Sequence, residues 1–65
     1  MNLLNNPSEY YADKSAKLYR AAEALEKQAD YMSANQCYTE ASSLYREARE
    51  AKREAYFTGV KARNL

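Results

Sequence analysis

The chain of 65 residues contains no histidine, tryptophan or isoleucine, and only one cysteine, one glycine and one proline. Without histidine, a zinc site lacks a common ligand and a cysteine nucleophile lacks its usual base. One cysteine cannot form an internal disulfide, and one glycine cannot build a phosphate-binding loop. We therefore predict no enzymatic activity, no catalytic residue, no metal site and no cofactor.

The chain also lacks an excess of either charge and has no long apolar run. The formal net charge is +1, so nothing draws the whole chain to nucleic acid or to a membrane surface. The apolar runs are only a few residues long, far shorter than a bilayer requires. A lone cysteine suits a reducing compartment, and we expect a cytoplasmic protein.

Large aliphatic side chains are few, and alanine and tyrosine supply most of the apolar content. Alanine favours helices but adds little apolar area to a core. A domain of this size buries only roughly 60% of its unfolded surface and is marginally stable alone. With disulfides and metals excluded, self-association is the remaining way to stabilise so small a fold, which predicts a homodimer.

The most regular feature of the chain is an alanine at every seventh position. The repeat consists of Ala34, Ala41, Ala48, Ala55 and Ala62. Seven residues make about two helical turns, so these alanines form one straight ridge on a helix. Cys37, Leu44 and Ala51 follow three residues later and complete a heptad seam. This ridge predicts a helix that another helix can approach closely.

An earlier helix has a repeat with the same spacing. Asn6 and Pro7 form a helix start, with Asn6 as the N-cap and Pro7 in the first turn. The apolar stripe that follows is Tyr11, Leu18, Leu25 and Met32. The small residues between them are Ser15, Ala22 and Ala29. We expect the large side chains of this stripe to pack against the alanine ridge.

The two stripes are out of phase, which predicts a break between them near Asp30. We predict an all-α hairpin with helices at about 7–29 and 31–58, the second terminated by Gly59 directly after its last residue. One long, kinked helix is the alternative.

The hairpin domain then spans residues 6–59, between a flexible leader over 1–5 and a frayed tail over 60–65. Its dimer should be an antiparallel four-helix bundle. The predicted core and dimer seam comprises Leu18, Leu25, Met32, Ala34, Ala41, Leu44, Ala48 and Ala55.

The second helix also has two chemically different edges. The acidic edge consists of Glu40, Glu47 and Glu54, and the opposite edge carries tyrosines and arginines. These edges could simply flank a coiled-coil interface, where charge selects partner and orientation. They could instead bind another protein, since tyrosine and arginine are enriched at interface hot spots. For that case the predicted partner-binding residues are Tyr38, Tyr45, Arg49 and Tyr56.

Nucleic-acid binding is the alternative function. The basic residues available for phosphate contacts are Arg46, Arg49, Arg53, Lys61 and Arg63. Interspersed glutamates and the even charge balance disfavour this alternative.

Two resemblances accompany these inferences. The segment around Tyr31, Ala34, Tyr38 and Ala41 is similar to the tetratricopeptide and microtubule-interacting-and-trafficking hairpins, which implies a peptide-binding or partner-binding groove between helices. The whole chain, from Asn5-Asn6-Pro7 to Arg63-Asn64-Leu65, resembles the small early proteins encoded between the exonuclease and excisionase genes of lambdoid phages. That resemblance implies a helical, non-enzymatic regulator of host physiology.

Overall fold

The computed structural model describes residues 6–65, which form two long helices joined by a tight turn. Helix α1 spans Pro7–Ala34 and helix α2 spans Tyr38–Arg63. The helices pack side by side over their length in a flat, elongated molecule of 47 × 23 × 10 Å. The predicted all-α hairpin is confirmed, and the alternative of one kinked helix is wrong. The predicted leader over 1–5 lies outside the described residues.

Helix α1 begins as the sequence predicts. The Asn6 side-chain oxygen accepts a hydrogen bond from the backbone N–H of Ser8 at 3.0 Å, and Pro7 occupies the first turn. Asn6 thus satisfies one of the free N–H groups of the first turn.

The bend lies at residues 35–37, so the predicted break near Asp30 is at least five residues, or about one and a half helical turns, too early. Gln36 adopts a left-handed conformation with φ of 65°. The Gln36 N–H donates to the Ser33 carbonyl, and the Cys37 N–H donates to the Met32 carbonyl. These two bonds define a Schellman motif, which normally has glycine at the left-handed position. Because glutamine occupies that position here, the usual glycine signal for the turn is absent from the sequence.

Helix α2 also extends beyond its predicted end. It runs through Gly59 to Arg63, so the predicted end at Thr58 is wrong, and most of the expected tail over 60–65 is helical. Gly59 lies against α1, where an added Cβ would come within 3.2 Å of the Ser15 hydroxyl oxygen. This glycine therefore permits a close approach between helices and does not end α2.

The buried seam between the helices consists almost entirely of alanine. Within residues 6–65, every buried side chain is an alanine except that of Ser15. Helix α1 contributes Ser15, Ala22 and Ala29, and helix α2 contributes Ala41, Ala48, Ala55 and Ala62. Two repeats of small residues thus face each other.

Two hydrogen bonds set the antiparallel register of this seam. The Ser15 hydroxyl donates to the Ala55 carbonyl at 2.7 Å, and the Ser8 hydroxyl donates to the Ala62 carbonyl at 2.8 Å. A short serine side chain reaches a carbonyl of the facing helix only when the two backbones are close. The same seven-residue step brings Ala22 opposite Ala48.

The large side chains therefore lie beside the seam and not within it. The predicted packing of Leu18, Leu25 and Met32 onto the alanine ridge is wrong, because the small residues between them occupy the contact and leave them half-buried. Ala34 was also misplaced by the prediction: it ends α1 and is exposed, since the turn comes after it. Leu44 is half-buried on α2, three residues after a buried alanine, just as Leu25 follows Ala22 on α1.

Candidate partner-binding surface

The two sides of the alanine seam differ in chemistry. On each helix, the residue three positions after a buried small residue lies on one side, and the residue four positions after lies on the other. Because the helices are antiparallel, the residues three positions after the buried small residues of α1 lie on the same side as those of α2. That side, which we call the leucine side, is formed by Tyr11, Leu18, Leu25, Met32 and Leu44, all half-buried.

The opposite side is closed by polar contacts between the helices. The Lys52 ammonium pairs with the Glu26 carboxylate at 2.7 Å, and the Tyr45 hydroxyl donates a hydrogen bond to the Asp30 carboxylate. The hydrogen bond to Asp30 raises the pKa of Tyr45 above its ordinary value. The hydrogen bond with Glu26, together with its negative charge, raises the pKa of Lys52. Tyr45 and Lys52 thus help to hold the two helices together.

The outer face of α2 carries a cluster of basic and aromatic side chains. We call it the arginine–aromatic surface, and it comprises Arg46, Arg49, Arg53, Tyr56 and Phe57. Successive members are three or four residues apart, except for the adjacent aromatic pair, so they share one face of the helix. With Glu50 and Lys52 they line a shallow, open depression of about 720 Å³.

The aromatic end of this surface is exposed, and its side chains contact one another. Tyr56 and Phe57 are each 55% exposed. Their rings meet edge-on with centroids 5.4 Å apart, and the Arg53 guanidinium lies 5.7 Å from the Phe57 ring centroid. Large exposed aromatics next to arginines are the composition expected at interface hot spots.

The electrostatics of the surface are dominated by positive charge. Arg46, Arg49 and Arg53 make no ion pair within residues 6–65, whereas Lys52 is neutralised by Glu26. Glu50 is the one acidic residue of the lining. The surface therefore presents three guanidinium groups around one carboxylate.

The predicted partner-binding residues fall in different places. Arg49 and Tyr56 lie together on the arginine–aromatic surface, and Tyr45 contacts α1. Tyr38 is 64% exposed at the start of α2, about 27 Å along the helix from Tyr56. Phe57 was missed, although its spacing of four from Arg53 was a usable signal.

The basic residues considered for nucleic-acid binding do not form one stripe. The Lys61 ammonium lies 4.7 Å from the ring centroid of Tyr11, at the leucine side of the hairpin. Arg63 is in the last turn of α2, about two turns beyond Tyr56. The three remaining arginines all belong to the arginine–aromatic surface.

The fold defines the chain as an antiparallel two-helix hairpin with an alanine seam. No protein-family model matches it, and neither the curated proteins nor the solved structures yielded a significant match. Within residues 6–65, neither α1 nor α2 is long and apolar enough to cross a membrane.

Proposed function

We propose that this chain is a small, non-enzymatic protein-interaction module that binds another protein through the arginine–aromatic surface. The observation that carries the proposal is the grouping of Arg49, Arg53, Tyr56 and Phe57 on an outward face that α1 does not cover. Interface energy concentrates in such aromatic and arginine anchors. The resemblance to the small early proteins of lambdoid phages implies a cytoplasmic chain that modulates host physiology, so the proposed partner is a host protein.

The proposal includes a homodimer formed through the leucine side. Over residues 6–65 a lone hairpin buries only small side chains, and it leaves Leu18, Leu25, Met32 and Leu44 half-buried along one side. A second copy that covers this side would bury them and form an antiparallel four-helix bundle. The arginine–aromatic surface faces away from the leucine side and stays accessible in the dimer.

Charge at the margins favours one arrangement of this bundle. On α2 the margin of the leucine side carries Glu40, Glu47 and Glu54, one residue before the first three buried alanines, and Lys61 before the fourth. The equivalent positions on α1 are Lys14, Ala21 and Gln28. Two α2 helices side by side would bring glutamates together, whereas α2 next to the partner's α1 would not. The proposed dimer therefore places α1 of each copy beside α2 of the other.

Site-specific photocrosslinking in the native host tests the binding function. A photoreactive phenylalanine analogue at Phe57 should label one discrete host protein upon irradiation. Labelling should disappear when Arg49→Glu is added, because the guanidinium anchors the same surface. The same analogue at Tyr31, an exposed aromatic on α1, is the matched control.

The protein labelled from Phe57 should then bind the purified chain in a titration, and Arg49→Glu should weaken that binding. Equal labelling from Phe57 and Tyr31, or labelling indifferent to Arg49→Glu, would contradict the proposed function.

A nucleic-acid-binding regulator is the second candidate, favoured by one observation. Arginines interleaved with exposed Tyr56 and Phe57 can contact phosphates while bases stack on the rings. Gel shifts with single-stranded and double-stranded DNA at low salt discriminate the two candidates. A shift that weakens with salt and requires Arg49 and Tyr56 would support this candidate.

A further inference from the structure

We infer that the occupant of the arginine–aromatic surface is an acidic helical segment of another protein, with carboxylates facing the arginines and an apolar side chain on the aromatic pair. This inference rests on the proposed function and specifies its ligand. Three properties of the surface identify this ligand: the spacing of its cations, the position of its single carboxylate and the exposed aromatic pair.

The spacing of the cations suits a helix. Arg46, Arg49 and Arg53 follow one another at intervals of three and four residues and span about 10 Å along the axis of α2. A helix lying alongside α2 repeats its own side chains at the same intervals. Glutamates or aspartates at positions i, i+3 and i+7 of a parallel helix, or at i, i+4 and i+7 of an antiparallel one, can therefore meet all three guanidinium groups.

The guanidinium groups are available for such contacts. None of the three arginines is ion-paired within residues 6–65, so binding does not require an existing pair to break. Arginine and carboxylate form paired, charge-assisted hydrogen bonds whose planar geometry favours carboxylates held in fixed positions. Three such pairs along one helix face would set both the register and the orientation of the ligand.

Glu50 selects against a uniformly anionic ligand. It lies in the lining of the depression, between Arg49 and Arg53 in sequence. A nucleic-acid backbone carries a charge on every nucleotide, so some phosphates would face Glu50 and be repelled. A peptide can place a neutral or basic residue opposite Glu50 and keep its acidic residues opposite the arginines. The charge pattern of the surface thus favours a protein segment over nucleic acid.

The aromatic end supplies the apolar part of the contact. Tyr56 and Phe57 expose about half of their surface, and their edge-on packing, with Arg53 beside Phe57, limits their freedom before binding. Part of the side-chain ordering that binding requires is therefore already present in the free chain. A leucine or methionine one helical turn beyond the last carboxylate would reach the two rings.

Fluorescence anisotropy with designed peptides tests this inference on the full-length protein. The probe is a fluorescein-labelled helical peptide of about 18 residues, rich in alanine and glutamine, with glutamates at i, i+3 and i+7 and leucine a turn later. Because the ligand's direction is open, the reversed sequence is tested as well. The glutamate peptide should bind, and the glutamine version should bind at least roughly tenfold more weakly.

Variants of the protein identify the surface. Arg49→Glu should weaken binding of the glutamate peptide at least roughly tenfold, and a peptide with lysine at the facing position should restore binding to that variant. Arg20→Glu is the matched control, because Arg20 is an exposed arginine on the outer face of α1. Circular dichroism should show that both variants remain as helical as the original chain.

The possible outcomes separate this inference from the proposed function. Equal binding of glutamate and glutamine peptides, or equal effects of Arg49→Glu and Arg20→Glu, overturns the acidic-ligand inference. An oligonucleotide that binds through Arg49 when neither peptide direction binds overturns it in favour of nucleic acid. Loss of self-association in Arg49→Glu overturns it in favour of a second copy of the chain. Crosslinking from Phe57 that depends on Arg49, without a preference for glutamate, rejects this inference and leaves the proposed function standing.

Discussion

At the scale of single residues, alanine at the seam matters for its small size more than for its hydrophobicity. Ala22, Ala48 and Ala55 are at most 1% exposed, and each has only a methyl group to pack. That size lets the backbones approach until the Ser15 hydroxyl reaches a carbonyl of α2. A larger side chain at these positions would therefore have to push the helices apart.

Replacing one seam alanine with leucine tests this tight packing. We expect Ala48→Leu to lower the free energy of unfolding by about 1–3 kcal/mol, because the facing helix leaves no room for the added carbons. Ala24→Leu, at an exposed position of α1, should change it by less than about 0.5 kcal/mol. Urea titrations followed by circular dichroism give both values. Equal effects of the two substitutions would show that the seam is not tightly packed.

Gly59 and Ser15 provide a second test at this scale. An alanine Cβ at Gly59 would crowd the Ser15 oxygen, which its hydrogen bond to the Ala55 carbonyl holds in place. Gly59→Ala should therefore stabilise the chain little by itself. In the Ser15→Ala background it should add about 0.5–1 kcal/mol, the usual helical preference of alanine over glycine.

A double-mutant cycle from urea titrations measures this coupling. If the two substitutions add within about 0.3 kcal/mol, the predicted contact between Gly59 and Ser15 is wrong.

At the scale of elements, the turn is unusual because a residue other than glycine occupies its left-handed position. A Schellman motif satisfies the last carbonyls of α1, but its left-handed residue is Gln36. A side chain in that conformation costs about 1–2 kcal/mol relative to glycine or to an ordinary backbone. The turn therefore forms at the expense of local strain, and that strain can be removed by mutation.

Gln36→Gly should stabilise the hairpin by about 0.5–1 kcal/mol. The substitution removes the backbone strain, but glycine also raises the conformational entropy of the unfolded chain, which offsets part of the gain. Asn35→Gly is the neighbouring control, since Asn35 has φ of −96° and its side chain donates to the Tyr31 carbonyl. That control should destabilise the hairpin. Thermal and urea unfolding report both changes, and a loss of stability in Gln36→Gly would contradict the proposed strain.

At the scale of the whole molecule, the proposed homodimer would couple stability to association. The seam removes little apolar area from water, and the leucine side remains half-exposed in a single hairpin. A chain of this size gains much of its stability from additional burial. The proposed dimer supplies that burial, so folding and association should depend on each other.

Leu44→Glu should shift the chain from dimer to monomer in sedimentation equilibrium at low micromolar concentration and lower its melting temperature, because a charge would enter the proposed interface. Ala24→Glu on the outer side of α1 should leave the dimer intact. The melting temperature of the original chain should rise with concentration. A stably folded monomer whose melting is independent of concentration would eliminate the dimer.

The sequence by itself determined that the chain is a helical hairpin and that α1 begins at Pro7. The cap at Asn6 and the repeat through Ala41, Ala48 and Ala55 follow from local chemistry and helical period, which tertiary contacts do not alter. The spacing of Arg49 and Tyr56 likewise placed them on one face of α2.

Only the tertiary structure decided which stripe of α1 meets α2. The stripe of Leu18 and Leu25 and the stripe of Ala22 and Ala29 have the same period, so periodicity cannot distinguish them. The choice depends on close approach, which the serine hydroxyls stabilise through carbonyls of the other helix. The place of the turn was hidden for a related reason, because the left-handed residue is a glutamine. The antiparallel register places Tyr45 against Asp30 and leaves the arginine–aromatic surface facing outward. The sequence could not show this arrangement, because contacts between distant segments exist only once the helices have packed.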